Sequence, residues 1–221
     1  MKRVIIFVNG NLSNLSQAKN IITNEDYLIA ADGGVKHVLK LGLIPHIVIG
    51  DFDSTPLSIR KKLKKMCKGL INQTPTLIKY PRKKDKTDFE LAINFALEKK
   101  YHQIIIFGIL GDRIDHFIVN IFLLAKIQIE NKSIKIKIIE GKKEIFILDK
   151  EITINGKIGD EISIIPISDK LEGITTDGLY YRLIDDTLFF GSTRGISNVL
   201  NKTSAKIIVT DGIALVVHLR K

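Results

Sequence analysis

The sequence predicts an α/β domain with a mostly parallel sheet, covered by helices on both faces, followed by an all-β antiparallel sandwich. Residues 1 to about 127 alternate short apolar runs with helical patterns, which is typical of βαβ units. From about residue 133, strand-like runs follow one another directly, separated by turn pairs such as Asn155-Gly156 and Asp177-Gly178. The change falls within residues 128–134, so the expected domains are 1–130 and 131–221.

In the first half, five apolar runs predict strands, and helical patterns lie around them. The predicted strands are Val4–Val8, Tyr27–Ala31, His46–Ile49, Leu77–Tyr80 and Gln103–Phe107. The predicted helices are Leu15–Ile22, Gly34–Leu41, Pro56–Cys67, Asp88–Lys100 and Ile114–Ile127. Pro56 suits a first helical turn that Thr55 or Ser54 caps, and Thr87 with Glu90 predicts a capping box at the next helix.

In the second half, Ile134, Ile136 and Ile138 alternate with lysines, which predicts a half-buried strand that opens the β domain. Further runs predict strands in the same way. They are Glu144–Leu148, Glu151–Ile154, Glu161–Ile165, Leu179–Leu183, Thr187–Phe190, Ala205–Val209 and Ala214–Leu219.

Composition limits the class of protein. The 221 residues are 45% hydrophobic and 26% charged, as in ordinary globular proteins, and no apolar run approaches the ~20 residues that span a bilayer. Cys67 is the single cysteine, which excludes an internal disulfide framework and a cysteine-based zinc site and favours a cytoplasmic location. The net charge of +10 suggests affinity for polyanions, although the basic run at 60–68 also fits a solvated helix face.

The segment Gly50-Asp51-Phe52-Asp53-Ser54 ends a buried apolar run with two carboxylates that are one residue apart. Residues i and i+2 of a strand project to the same side, so Asp51 and Asp53 are expected to converge. Converging carboxylates repel each other unless a cation lies between them, and Mg²⁺ is commonly held by such a pair together with substrate phosphates. A solvated turn that caps the next helix explains the same residues equally well.

Other acidic turns lie at the same predicted edge of the sheet, where ligands bind in open α/β folds. Asp32 precedes Gly33-Gly34, and these glycines let backbone amides approach an anion at a helix start. Asp88 offers a third oxygen ligand, although the helix dipole alone favours a carboxylate in a first helical turn. Together with the turn at 108–116, these make four acidic turns at one edge of the sheet. Four such turns favour a ligand site over the ordinary use of aspartate in turns and helix caps.

The turn after the last predicted strand of the first half contains Arg113 and the pair Asp115-His116. Arg113 can clamp a phosphate with two hydrogen bonds, and the pair can orient a ligand, but surface ion pairs and helix ends use the same residues. The sequence contains no P-loop, dinucleotide-binding, zinc-protease or nucleophile-elbow motif.

Five motifs, in this order along the chain, resemble those of the bacterial thiamine pyrophosphokinases (thiamine diphosphokinases). They are Ala31-Asp32-Gly33-Gly34, Gly50-Asp51-Phe52-Asp53-Ser54, Asp85-Lys86-Thr87-Asp88, the run from Gly108 to His116, and Gly195-Ile196-Ser197-Asn198. The resemblance implies an N-terminal α/β domain, a C-terminal β-sandwich and a homodimer. It also implies transfer of the pyrophosphoryl group of ATP to thiamine, with Mg²⁺ as cofactor and AMP as the second product.

The resemblance also implies roles for individual residues. The implied catalytic residues are Asp51, Asp53, Asp85 and Asp88, of which Asp51, Asp53 and Asp88 are the implied metal ligands. The implied ATP site consists of Asp32, Gly33, Gly34, Ser54, Lys84, Lys86, Thr87, Arg113, Asp115, His116 and Asn120. Ser197 and Asn198 are the implied thiamine contacts, from the partner subunit. Asp112 departs from the family, which usually has a second glycine there, and the sequence reveals no aromatic platform for thiamine.

The chemistry that follows is attack of a primary alcohol on the β-phosphorus of ATP, helped mainly by positioning and charge neutralisation. Lys84 and Lys86 add positive charge near the phosphates, and either Asp85 or Asp53 accepts the hydroxyl proton. Two alternatives remain: an Mg²⁺ enzyme that acts on another small alcohol such as a pterin, and a basic nucleic-acid-binding module. Neither nucleic-acid nor membrane partners are expected, because the sequence lacks the corresponding signatures.

Overall fold

The computed structural model describes residues 2–53, 55–67 and 74–221, which form two compact units. The first unit contains Met1–Leu123 and Ser133–Gly141, and the second contains Leu124–Lys132 and Lys142–Lys221. None of the helices in these described residues has the length and apolarity that crossing a membrane requires.

The first unit contains a parallel sheet with strands in the order β6-β5-β1-β2-β3-β4. These strands are β1 Arg3–Phe7, β2 Tyr27–Ala31, β3 Ile47–Gly50, β4 Thr76–Lys79, β5 Gln103–Phe107 and β6 Lys135–Glu140. The α-helices in the described residues are α1 Leu15–Ile21, α2 Val35–Lys40, α3 Leu57–Lys65, α4 Asp88–Glu98 and α5 Ile114–Glu130. The predicted α/β pattern of the first half is confirmed.

The centre of this sheet is apolar because helices cover both of its faces. Val4 to Phe7 of β1 and Ile104, Ile106 and Phe107 of β5 are almost completely buried, and the rings of Phe7 and Phe107 stack with centroids 5.4 Å apart. The strand order reverses between β1 and β5, which makes the carboxyl ends of these strands a topological switch point. The acidic turns at Asp32 and Asp51 follow the carboxyl ends of β2 and β3, at the same edge of the sheet, where such folds bind ligands.

Strand β6 corrects one prediction. The sequence pattern assigned Ile134, Ile136 and Ile138 to the opening of the β domain, but β6 pairs in parallel with β5 and lies in the first unit. The alternation with lysine indicates that one face of the strand is buried. It does not indicate whether the neighbouring strand runs parallel or antiparallel.

The start of α3 also differs from the prediction. The helix begins at Leu57, and Pro56 occupies the N-cap position without a side-chain hydrogen bond. Thr55 does not cap the helix, because its hydroxyl donates to Asp32 Oδ1 at 3.0 Å. Ser54 lies outside the described residues. At α4 the predicted cap is present, since Thr87 Oγ1 accepts a hydrogen bond from the backbone N–H of Glu90 at 3.1 Å.

The second unit is the predicted antiparallel sandwich. One group of paired strands has the order β12-β9-β14-β7, with β7 Lys143–Leu148, β9 Glu161–Pro166, β12 Asn198–Val199 and β14 Ala214–Leu219. The other has the order β11-β10-β13-β8, with β8 Glu151–Asn155, β10 Lys170–Asp177, β11 Asp186–Phe189 and β13 Ser204–Ile208. Their inward side chains, such as Ile162, Val216, Leu171 and Ile207, form one buried core.

Strand β10 was not predicted, and the predicted strand Leu179–Leu183 is wrong. In that segment only Leu179 forms a bridge, with Leu200. Strand β10 escaped the pattern because its register with β11 shifts between Leu171 and Ile174, at a bulge that interrupts the period-two alternation.

A polar cluster is buried in the second unit. His218 is 0% exposed, with Nε2 2.9 Å from Asp160 Oδ2 and Nδ1 3.4 Å from Glu144 Oε2. Burial alone would raise the pKa of Asp160, but hydrogen bonds from the backbone N–H groups of Lys157 and Lys221 and from His218 lower it to about 2. This carboxylate therefore stays ionised inside the protein.

Candidate active site

Three carboxylates meet where β2 and β3 end. One oxygen from each of Asp32, Asp51 and Asp53 lies within 4.8 Å of the others. Asp32 follows β2 and Asp51 follows β3, and the register that pairs Ala31 with Ile49 brings these ends side by side. The predicted convergence of Asp51 and Asp53 is confirmed, and Asp32 joins them.

The backbone around these carboxylates is tightly constrained. Asp32 has φ 42° and Phe52 has φ 65°, both in the left-handed region, which is uncommon outside functional turns. Gly50 cannot carry a side chain, because a Cβ there would lie 2.9 Å from Asp32 Cβ and 3.3 Å from Asp88 Cγ. The backbone N–H of Asp53 donates to Asp51 Oδ1 at 3.0 Å. The turn is therefore built to hold its carboxylates close together.

Asp88 is the fourth carboxylate here, and we call Asp32, Asp51, Asp53 and Asp88 the carboxylate cluster. Asp88 lies in the first turn of α4, and its Oδ1 is buried without a hydrogen bond of good geometry. Burial raises the pKa of Asp88, Lys84 opposes this, and the charges of Asp51 and Asp32 raise it further. The sequence suggested Asp88 as the third carboxylate beside Asp51 and Asp53. Among the described residues, the three close oxygens instead belong to Asp32, Asp51 and Asp53.

Lys84 lies between two members of the cluster. Its Nζ is 3.0 Å from Asp51 Oδ2 and 3.1 Å from Asp88 Oδ1, and its side chain is only 14% exposed. Burial lowers the pKa of Lys84, but the two carboxylates more than compensate, so the pKa is raised overall. The pKa of Asp51 is lowered against the effect of burial by the Asp53 N–H and by Lys84.

Two arginines contact Asp53, and sequence reasoning missed both. Arg82 Nε lies 3.2 Å from Asp53 Oδ2, with the arginine side chain 84% exposed. Arg60 donates to the backbone oxygens of Asp53 at 2.8 Å and Thr55 at 2.7 Å, which ties the turn to α3. No motif marks either arginine, because each acts through a contact that only the folded chain creates.

A cavity of about 310 Å³ adjoins the carboxylate cluster, and we call it the first cavity. Residues of the predicted catalytic and ATP-binding sets line it: Asp32, Lys84, Asp85, Lys86, Thr87, Asp88, His116 and Asn120. Arg82 lines it as well. The structure thus brings most of the predicted first-half site residues to one concave surface.

The predicted glycines have a packing role. Asp32–Gly34 forms a buried 3₁₀ turn that leads into α2. A side chain at Gly34 would collide with the carbonyl of Phe7, and one at Gly33 would collide with the side chain of Asn9. Close packing against the end of β1 is therefore sufficient to require Gly34, whereas the flexible side chain of Asn9 can move to admit a side chain at Gly33.

Arg113 and Asp115 do not belong to the lining of the first cavity. They form an exposed ion pair, with Nη2 2.6 Å from Oδ2, and Arg113 lowers the pKa of Asp115 well below its usual range. Asp112 is exposed in the same turn. The predicted phosphate clamp at Arg113 stays a prediction.

In the second unit, Asn198 is committed to the backbone. Its Oδ1 accepts hydrogen bonds from the N–H groups of Tyr181 (3.0 Å) and Val199 (2.9 Å), and its Nδ2 donates to the carbonyl of Tyr181 (2.7 Å). Ser197 is exposed with φ 56°, and its N–H donates to Ser163 Oγ at 3.1 Å. Asn198 therefore fixes the position of Tyr181.

Tyr181 lines a second cavity of about 440 Å³ together with Asn198, Arg182 and Arg194. Its side chain is 65% exposed, and its ring meets that of Tyr180 edge-on, with centroids 5.0 Å apart. Sequence reasoning found no aromatic platform; the available signal was the pair of tyrosines that follows Asp177-Gly178-Leu179.

Comparison with known proteins decides the family. Two protein-family models match the chain. The catalytic domain of thiamin pyrophosphokinase matches residues 18–138, and the vitamin B1 binding domain of thiamin pyrophosphokinase matches residues 149–214. The chain belongs to the thiamin pyrophosphokinase family. The first match contains the carboxylate cluster and the lining of the first cavity except Val8 and Asn9, and the second contains Tyr181 and Asn198.

Individual members of the family are similar over nearly the whole chain. The thiamine pyrophosphokinase of Bacillus subtilis (strain 168) is 35% identical over 222 residues, with 98% of both chains covered. Thiamin pyrophosphokinase 1 of Caenorhabditis elegans is 25% identical, with 96% of this chain and 87% of the relative covered. These matches confirm the resemblance that the motifs carry and the prediction of an enzyme.

Solved structures of the family share the fold. The crystal structure of the Bacillus subtilis protein superposes with a TM-score of 0.88 at 30% identity, and both chains are completely covered. That of the Geobacillus thermodenitrificans protein gives 0.85 at 26% identity, with 100% and 98% covered. The predicted combination of an α/β part and a β part is therefore the fold of the family.

Proposed function

We propose that this chain transfers the pyrophosphoryl group of ATP to the hydroxyl of thiamine, giving thiamine diphosphate and AMP. The observation that carries the proposal is the carboxylate cluster beside a cavity lined by Lys84 and Lys86, within the part of the chain that matches the catalytic domain. Carboxylates for a divalent cation and lysines for phosphates are what phosphoryl-group transfer from a nucleotide requires.

The carboxylate cluster fits Mg²⁺, because the ion prefers hard oxygen ligands and is usually held by one or two carboxylates. Asp51 and Asp53 are the proposed central ligands, with Asp32 as the nearest third carboxylate and the buried Oδ1 of Asp88 as a further acceptor. When bound, the ion would neutralise phosphate charge and make AMP a better leaving group.

The remaining steps belong to side chains of the first cavity. Lys84 and Lys86 are proposed to bind phosphate oxygens, and Thr87, His116 and Asn120 to position the nucleotide, since all of them line the cavity. Asp85 is the better proposed acceptor for the thiamine hydroxyl proton, because it lines the first cavity, whereas Asp53 is a proposed metal ligand. Asp85 makes no hydrogen bond or ion pair with another described residue, so its oxygens are available to a hydroxyl.

We propose that thiamine contacts the second cavity, in the part of the chain that matches the vitamin B1 binding domain. Tyr181 is the proposed aromatic platform, and Asn198 holds it in place. Tyr181→Ala should raise the KM for thiamine and leave the KM for ATP unchanged. Tyr180→Ala is the matched control, because Tyr180 is equally exposed and does not line the cavity.

The same proposal includes a cytoplasmic homodimer in which the partner subunit supplies Ser197 and Asn198. The family resemblance supports it, as does the exposure of large apolar side chains on the second unit: Ile184, Phe189 and Phe190 are each more than 60% exposed. Light scattering coupled to gel filtration tests it, with twice the 24.9 kDa chain mass as the expected result and the chain mass as the contrary one.

A substrate panel tests the proposed activity. With ATP and Mg²⁺, thiamine should release AMP, whereas a hydroxymethyl pterin should not. Release of AMP with the pterin and none with thiamine would overturn the substrate. No comparison supports the pterin alternative or the nucleic-acid alternative.

A further inference from the structure

The chain's own cations already occupy the carboxylate cluster. Lys84 Nζ contacts Asp51 Oδ2 and Asp88 Oδ1, and Arg82 Nε contacts Asp53 Oδ2. Three of the four carboxylates of the cluster therefore have a cationic side chain on one of their oxygens.

A divalent cation has to compete with these side chains. A second cation placed on the same oxygens repels the first, and a carboxylate oxygen that ligates a metal at ~2.0–2.1 Å is no longer a strong partner for an ammonium group. We propose that Lys84 and Arg82 are exchangeable counter-ions, which neutralise the carboxylate cluster in the metal-free protein and transfer to the nucleotide phosphates when Mg²⁺ binds. This inference rests on the proposed function and adds an order of events to it.

The surroundings of Lys84 give the exchange its direction. Its side chain is only 14% exposed, so an ammonium group displaced from Asp51 and Asp88 would be left partly buried and unpaired, which is costly. Lys84 lines the first cavity, where the proposed phosphates lie within reach of its four-carbon stem. The metal ion displaces the Lys84 ammonium group from the carboxylates, and the nucleotide phosphates give that group new partners. Metal and nucleotide should therefore favour each other's binding.

Arg82 is free to make the same exchange. It lies in the segment between β4 and α4, is 84% exposed and lines the first cavity. Lys83 provides the matched control, because it has the same charge, lies between the two residues in sequence, is exposed, and belongs neither to the lining nor to any ion pair among the described residues.

Binding of Mn²⁺ alone, followed by electron paramagnetic resonance without nucleotide, tests the first half of the exchange. Lys84→Gln should bind Mn²⁺ about tenfold more tightly than the wild type, because a charged hydrogen-bonding competitor is removed. Arg82→Gln should bind it about threefold more tightly, as expected for an exposed ion pair. Lys83→Gln should change the affinity less than either variant. Equal effects in all three variants would reduce the result to general charge and overturn the inference.

Binding of a non-hydrolysable ATP analogue with saturating Mg²⁺, measured by calorimetry, tests the second half. Lys84→Gln and Arg82→Gln should weaken it by about tenfold and threefold, while AMP, which lacks the β- and γ-phosphates, binds all proteins alike. Unchanged affinity for the analogue in both variants would overturn the inference. A wild-type protein that binds neither the ion nor the analogue would instead overturn the proposed function. Because Arg82 is a surface residue, its variant remains informative if Lys84→Gln fails to fold.

Discussion

The substitution Asn198→Asp tests whether the second cavity depends on a single amide. The carboxylate keeps the acceptor for the N–H groups of Tyr181 and Val199 but loses the donor to the Tyr181 carbonyl. It also places a charged oxygen where Nδ2 lies 2.7 Å from that carbonyl, at a residue that is only 7% exposed. The segment that presents the Tyr181 ring should therefore shift.

The structure sets the size of the effect. Replacing the donor to the Tyr181 carbonyl by a carboxylate oxygen, on a residue that is only 7% exposed, costs about 2 kcal/mol. This corresponds to a rise of about 30-fold in the KM for thiamine if the shifted segment no longer binds it. The KM for ATP should stay unchanged, because ATP is assigned to the first cavity. Initial rates at varied thiamine and varied ATP concentrations measure both constants.

A matched control separates this contact from general effects of an added charge. Asn201 Nδ2 donates to the Leu179 carbonyl at 3.1 Å, but Asn201 is exposed, so water can replace the amide in Asn201→Asp. Its KM for thiamine should stay within about twofold of the wild-type value. Equal rises in both variants, or no rise in Asn198→Asp, would refute the role assigned to Asn198.

Three further predictions concern the carboxylates and the buried polar cluster. Asp51→Asn and Asp53→Asn should each lower turnover on the order of a hundredfold or more while the circular dichroism spectrum is unchanged, and near-native turnover in both would locate the metal elsewhere. Gly50→Ala should abolish most turnover because the new methyl group displaces the carboxylates, whereas Gly42→Ala, with φ 76° and open space, should cost only ~1 kcal/mol of stability. Asp160 has its pKa lowered from 3.8 to about 2, so it should stabilise the fold by about 2 kcal/mol above pH 4 and lose this between pH 3.8 and 2. In urea denaturation, Asp160→Asn should therefore be less stable than the wild type at pH 6, with a gap that closes as the pH falls; a constant gap would contradict this.

Residue patterns predicted most of the first unit because β1, β2, β3 and β5 are buried on both faces and read as continuous apolar runs. Strands β2 and β5 have the predicted bounds, and the others of β1–β5 differ by one residue at either end. The direction of β6 was not predictable, since Ile136 and Ile138 report burial alone. Strand β10 was missed because its bulge hides the alternation.

The candidate site was predictable where one residue type in one turn carries the signal, as with Asp51 and Asp53. It was not predictable where two distant segments meet. Lys84 and Arg82 are two of many basic residues in the sequence, and only the fold places them on carboxylates. Asn198 belongs to a recognised motif, but the hydrogen bonds that fix Tyr181 are visible only in the structure.

The fate of the β-phosphate of ATP distinguishes pyrophosphoryl transfer from phosphoryl transfer. The protein would be incubated with Mg²⁺, thiamine and ATP that is radiolabelled at the β-phosphate, and the products separated by chromatography. We expect label in thiamine diphosphate, an equal amount of unlabelled AMP, and no ADP. Labelled ADP, formed together with unlabelled thiamine monophosphate, would contradict pyrophosphoryl transfer.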